Sequence, residues 1–190
     1  KESKSVLRQL THLSHLKLSL MTTDEKPPAV TEFDLIPTLT RLRSLELVDS
    51  TTYFHKWVYI CQHLPDLEHV KVTGGWILLE EELPNWKNWL ARQWKSWWSP
   101  QTFPAMNTLQ SLSLSNIRGP PPTLMEWMAS LTQLVSLELW RVEITSAEVN
   151  HVLPNFPALT RLEYVPFVQD KNLLLHIANL PLTTLRFQID

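Results

Sequence analysis

The first phrase of the chain with a clear apolar pattern, LTHLSHLKL over residues 10–18, places leucine at every third position and then closes on an alternating Leu-Lys-Leu. The phrase returns as LTRLRSLEL at 39–47 and as LTQLVSLEL at 131–139. Aligning the last apolar residue of each copy gives seven anchors, Leu18, Leu47, Val72, Leu114, Leu139, Tyr164 and Phe187, separated by 29, 25, 42, 25, 25 and 23 residues. Ahead of the anchors the LxxLxL spacing recurs as Leu13, Leu16; Leu42, Leu45; Leu67, Val70; Leu109, Leu112; Leu134, Leu137; Leu159, Leu162; and Leu182, Leu185. The terminal LxL has the two-residue period of a strand buried on one face, so each unit predicts one short strand.

Between these strands the pattern switches to helical spacing, in YFHKWVYICQHLP (53–65), TLMEWMASL (123–131), SAEVNHVL (146–153) and DKNLLLHIANL (170–180). Thr123, Ser146 and Asp170 are the expected N-caps, because a short side-chain oxygen accepts a bond from an unpaired amide of the first turn. Prolines mark the stops. Pro37, Pro104 and Pro154 stand ten residues before an anchor, and Pro65 and Pro157 stand seven before one. There a missing amide donor and a restricted preceding residue force the chain out of the helix.

Five of the six anchor steps fall within the 20 to 29 residues of a leucine-rich repeat. With its seven LxxLxL units, the chain resembles the leucine-rich repeat family over essentially its whole length. The resemblance implies an α/β fold: a repeat solenoid, or horseshoe, with a parallel sheet on the concave side and helices on the convex side. A single domain over 1–190 with about seven repeats is expected. The asparagine that closes the turn after the strand in this family is missing; its place is held by Met21, Ser50, Gly75, Ile117, Val142, Phe167 and Asp190. Those turns must be satisfied by other groups. The roughly 25-residue period with prominent helices is similar to intracellular repeats, such as F-box substrate receptors or plant nucleotide-binding immune receptors. Neither terminus shows the polar closing unit that a solenoid needs. With Lys1 opening the chain, the sequence reads as a fragment with a further module upstream.

If the leucines point inward, the residues between and beside them form a grid on the other face: His15, Lys17, Ser19; Ser44, Glu46, Val48; His69, Lys71, Thr73; Ser111, Ser113, Ser115; Ser136, Glu138, Trp140; Arg161, Glu163, Val165; and Thr184, Arg186, Gln188. Strands about 4.8 Å apart make it roughly 30 Å long, a size that suits a protein or peptide. The residues expected to contact a partner are Lys17, Glu46, His69, Lys71, Ser113, Glu138, Trp140, Arg161, Glu163 and Arg186. Trp140 with Arg161 and Glu163 stands out, since tryptophan and arginine dominate interface hot spots. The alternative is an ordinary solvated sheet face with Trp140 folded onto its neighbours.

The long 42-residue step carries a Trp-rich insertion around 76–100, expected to be helical, with Trp76, Trp86, Trp89, Trp94, Trp97 and Trp98. From Trp86 onward the tryptophans and Leu90 cover about half of a helix, with Arg92 and Lys95 opposite. An enlarged helix roofing its neighbours, a protein-docking helix and a membrane-surface helix all fit that pattern.

Composition narrows the function. The net charge of −2 lacks the basic footprint of nucleic-acid binding, and no apolar run reaches the roughly 20 residues that span a bilayer. Only Gly74, Gly75 and Gly119 occur, so no phosphate-cradling or dinucleotide loop can be built, and no cofactor is expected. Cys61 is the sole cysteine, and no Asn-x-Ser/Thr sequon occurs, which favours a reducing interior, cytosol or nucleus. His55, Cys61 and His63 match no zinc spacing, His12 and His15 lack a third ligand, and no GxSxG or HExxH occurs. The expected function is non-catalytic recognition of a protein partner, with no metal. By resemblance, it is substrate recognition for a ubiquitin ligase or the sensing domain of an immune receptor; a spacer without a partner is the structural alternative.

Overall fold

The computed structural model describes residues 10–19, 33–48, 52–53, 60–61, 63–74, 77–78, 106–117, 122–166, 177 and 180–187. Its centre is a seven-stranded, all-parallel sheet made of β1 (His15–Ser19), β2 (Ser44–Val48), β4 (His69–Thr73), β6 (Ser111–Ser115), β7 (Ser136–Val142), β8 (Arg161–Pro166) and β9 (Thr184–Phe187), side by side in that order. Two-residue strands β3 (Thr52–Tyr53) and β5 (Ile77–Leu78) form a separate parallel pair. With helices α1 (Pro122–Ala129) and α2 (Ser146–Val152), the fold is α/β.

The change of step inside each phrase has a direct backbone cause. Where leucines stand three apart, the second amide bonds back to the first carbonyl: Leu13 to Leu10, Leu42 to Leu39, Leu67 to Leu64, Leu134 to Leu131, and Leu159 to Phe156. A three-residue turn brings both side chains onto one face. The chain then extends, the period becomes two, and the next two apolar residues continue the same buried face.

In the main sheet, each strand after β1 is held at its entrance by a shared acceptor. The carbonyl of Ser14 accepts the amides of Arg43 and Ser44, that of Arg43 accepts Glu68 and His69, and that of Glu68 accepts Gln110 and Ser111. Gln110, Val135 and Thr160 repeat the arrangement toward the last strand. The register that follows places Leu16, Leu45, Val70, Leu112, Leu137, Leu162 and Leu185 in one row, and Leu18, Leu47, Val72, Leu114, Leu139, Tyr164 and Phe187 in the next. These are the anchors aligned from the sequence. From β2 to β8 both rows are buried in one contiguous core with Leu124, Trp127 and Met128 of α1 and Val149 and Val152 of α2. Among the described residues, the helices therefore pack on the leucine side and none covers the other sheet face.

The turns after the strands are closed by lateral backbone bonds where the expected asparagine is absent. Gly74 N–H donates to Ser115 O at 2.8 Å, Asn116 N–H to Trp140 O at 2.8 Å, and Glu143 N–H to Ile117 O at 3.0 Å. Ile117 and Val142, which stand in the asparagine's place, are buried and add to the core. Two residues past the anchors Val72, Leu114 and Leu139, the backbone turns left-handed, at Gly74 (φ 72°), Asn116 (φ 56°) and Arg141 (φ 50°). Glycine and asparagine tolerate that geometry; for arginine it costs about 1–2 kcal/mol.

Three expectations need correction. Helix α1 already begins at Pro122, whose missing amide is harmless in a first turn, so Thr123 lies inside the helix. The cap of α2 is Thr145, one residue ahead of Ser146: Glu148, three residues on, bonds the Thr145 amide at 2.8 Å while its own amide donates to Thr145 Oγ1 at 3.3 Å. A reciprocal box of this kind satisfies two otherwise unpaired amides, which Ser146 has no partner to do. Tyr53, read from the sequence as helical, is in β3, and Ile77 and Leu78, placed in a helical insertion, form β5; their pairing with each other's strand overrides local spacing. Ile60 and Cys61 are helical as expected. Asp170, Pro104 and the tryptophans at 86–98 lie outside the described residues. Pro37 falls inside a 3-10 helix (Phe33–Thr38), and Pro154 ends α2 by leading into another (Leu153–Asn155).

Leu137 and Leu185 occupy one register row, but Leu137 is fully buried and Leu185 is 46% exposed. Leu137→Ala is expected to cost about 2–5 kcal/mol and Leu185→Ala less than about 1 kcal/mol. Urea denaturation of the two variants checks the difference.

Candidate functional site

The open sheet face is organised in three columns. The first runs His15, Ser44, His69, Ser111, Ser136, Arg161, Thr184, and the second runs Lys17, Glu46, Lys71, Ser113, Glu138, Glu163, Arg186. The third runs Ser19, Val48, Thr73, Ser115, Trp140, Val165. Alternation along each strand turns these side chains away from the core. Of the expected grid, Gln188 lies outside the described residues.

Charge on this face is arranged in two ladders, centred on the second column and joined by Arg161 of the first. On the first three strands Lys17 Nζ lies 3.0 Å from Glu46 Oε1, and Lys71 Nζ lies 3.8 Å from the same oxygen. On the last three, Arg161 Nη2 lies 3.2 Å from Glu138 and 3.9 Å from Glu163, and Arg186 Nη1 lies 3.4 Å from Glu163. Between the ladders stand the short side chains of Ser111, Ser113 and Ser115. Opposite charges on neighbouring strands suppress repulsion between strands and hold long side chains in few rotamers, while each exposed pair adds little stability on its own.

Ten predicted contact residues are thereby brought to one face, but they differ in access. Lys17, His69, Lys71, Arg161 and Arg186 are exposed; Glu46, Glu138 and Trp140 are half-buried. Ser113 and Glu163, expected to project into solvent, each retain only 9% exposure. Serine at 113 is short and has Lys71 and Glu138 as its register neighbours. Glu163 is enclosed because two arginines from its own and the next strand converge on its carboxylate. Val165 is also a correction: expected on the open face, it is buried, with half-buried Trp140 as its register neighbour.

Two features were missed in the sequence. Arg43 Nη1 lies 3.5 Å from Glu68 Oε1, and His69 Nε2 lies 3.8 Å from Glu68 Oε2, which extends the first ladder to the strand entrances. The second is Arg141, which follows Trp140 where the register between β7 and β8 shifts. Aligning the repeats on their anchors gives the signal: arginine stands where other units carry Gly74 and Asn116.

The residues considered for chemistry are placed as follows. Cys61 is fully buried, and burial raises its thiol far above the ordinary value, so the neutral form persists. His63 is exposed, and His55 lies outside the described residues. His12 Nδ1 lies 3.2 Å from Arg41 Nη1, and His15 Nδ1 lies 2.8 Å from Ser14 Oγ. Among the described residues no group of three or more His, Cys, Asp or Glu side chains is placed to hold a metal ion. No helix among them is long and apolar enough to cross a membrane.

The ladders differ in depth, and this is measurable. The Glu163 side chain is 12% exposed against 27% for Glu46, and it meets two arginines. Glu163→Gln is expected to cost about 1–2 kcal/mol at low salt, and Glu46→Gln less than about 0.5 kcal/mol. Urea midpoints in 20 mM and 1 M sodium chloride, used here as roughly low and high screening, check this; the Glu46 effect should vanish at high salt and the Glu163 effect should persist in part.

No protein-family model matches the chain, and no curated protein matches it either.

Proposed function

We propose that the chain is a leucine-rich repeat solenoid that recognises another protein through its open sheet face, without catalysis. The observation that carries the reading is the in-register array of long charged side chains on a backbone fixed from both sides by lateral hydrogen bonds. A preorganised face of this kind loses little conformational freedom on binding, and that loss is a main cost of association. In the repeat family that the sequence resembles, such a face is concave and the helices lie on the convex side. Substrate recognition for a ubiquitin ligase is the specific role the resemblance favours.

The half-buried Trp140 shares the open face with the exposed Arg161 and Arg186, and this supports the reading further, because tryptophan and arginine are the residue types that carry most interface energy. The leucine side cannot serve this purpose, being occupied by α1 and α2.

Proximity labelling in cells with the intact protein tests the proposal. Substituting Trp140→Ser with Arg161→Ser is expected to reduce labelling of specific neighbours by about tenfold or more. Glu126→Lys, on the exposed side of α1, should leave it unchanged. Retention of every neighbour by the face variant would instead favour a spacer.

A further inference from the structure

The strand at the middle of the open face differs in height from those beside it. β6 presents only serine to that side, at Ser111, Ser113 and Ser115, whereas β4 raises Lys71 and β7 raises Glu138 in the register row of Ser113. Lysine and glutamate reach farther from the backbone than serine, so a trough runs along β6. Ser113 keeps only 9% exposure although its row faces away from the core, while the Lys71 side chain beside it keeps 53%. The two walls stand two strand spacings apart, about 9.6 Å. At its entrance the trough is flanked by His69 and Ser136, and at its exit by Thr73 and Trp140.

The walls differ in how far their charge is already answered. Glu138 meets Arg161 at 3.2 Å, in a ladder of two arginines and two glutamates that balances. Lys71 shares Glu46 Oε1 with Lys17 and is the farther of the two, at 3.8 Å against 3.0 Å. Arg43 and Glu68 make a balanced pair at the strand entrances, and Arg41 and Asp66 in the preceding turns are opposite in sign. Counting histidine as neutral, the first ladder carries one positive charge in excess among the described residues, and the more loosely held lysine stands at the trough.

We infer that the trough over β6 takes the side chain of a single Asp or Glu from a partner protein, its carboxylate held by Lys71 Nζ and the hydroxyls of Ser111 and Ser113. Ser115 Oγ is engaged by Asn116 Nδ2 at 3.4 Å. An ammonium is a compact charge that accepts a carboxylate from many directions, and a serine hydroxyl rotates to donate. One excess charge answers one carboxylate; a phosphate would bring roughly two negative charges beside Glu46 and Glu138. The inference rests on the open face being a docking surface, as proposed above, and adds the place of contact and the partner's chemistry.

A phage library of random dodecapeptides, selected on the intact chain, supplies the probe. Enriched peptides should share one Asp or Glu. For a synthetic, fluorescein-labelled copy, Lys71→Gln is expected to weaken binding about tenfold or more and Ser113→Val about threefold or more, with the urea midpoint of each unchanged, whereas Arg186→Gln changes binding less than about twofold. Changing the peptide's acid to its amide should weaken binding to the native chain and change little in Lys71→Gln. Replacing that acid with phosphoserine should give no gain; tighter binding overturns the carboxylate. Enriched peptides without an acid, or binding that ignores Lys71→Gln and Ser113→Val but falls with Trp140→Ser or Arg186→Gln, overturn the trough and leave the docking face standing. Binding lost only where the urea midpoint also falls overturns the trough as well, since the two residues would then serve folding. Failure to enrich any peptide, or binding indifferent to all four substitutions, overturns trough and face together.

Discussion

Every feature of this molecule depends on the backbone groups of one unit being satisfied by those of the next. A parallel strand cannot close its hydrogen bonds locally, so each unit must find its partners about 25 residues away, and a buried unpaired amide or carbonyl is costly. The shared carbonyls at Ser14, Arg43, Glu68, Gln110, Val135 and Thr160 fix where each strand begins. Once the beginnings are fixed, a slip of one residue would turn every leucine to solvent and every charge into the core. Register, core and open face are three consequences of that one condition.

The same condition explains how the turns tolerate the loss of a side-chain cap. With Gly74, Asn116 and Glu143 amides bonded laterally to the adjacent unit, the turn needs no asparagine, and Ile117 and Val142 are free to extend the core. The left-handed residues follow from this closure, because the chain must reverse sharply after the strand to enter the leucine side. Arg141 shows the limit of the arrangement: the geometry is imposed by neighbours on both sides whether or not the residue suits it.

Much of the fold was legible because its signal is written seven times. The switch from a three-residue to a two-residue step marks turn and strand in each phrase, and repetition removes the ambiguity of any single copy. Features written once were harder to read. Thr145 and Ser146 are both acceptable caps by type, and only the reach of Glu148 selects between them. Strands of two residues, as in β3 and β5, are too short to display a period. On the open face, membership of the columns followed from spacing, whereas burial did not. Ser113 has its register neighbours on other strands, and Glu163 is enclosed by Arg161 of its own strand together with Arg186 of the next; spacing within one unit does not report how such side chains meet. Arg141 is an intermediate case, visible only when the units are aligned and the odd residue is asked why it is not Gly or Asn.

The central claim is that the strands lie parallel and in a single register, so nuclear Overhauser contacts between strands test it most directly. In isotope-labelled protein, cross-strand backbone contacts should connect Leu45, Val70, Leu112, Leu137 and Leu162 as one continuous row with the spacing of a parallel ladder. Antiparallel contacts, a row displaced by one residue at any step, or helical contacts within these segments would contradict it.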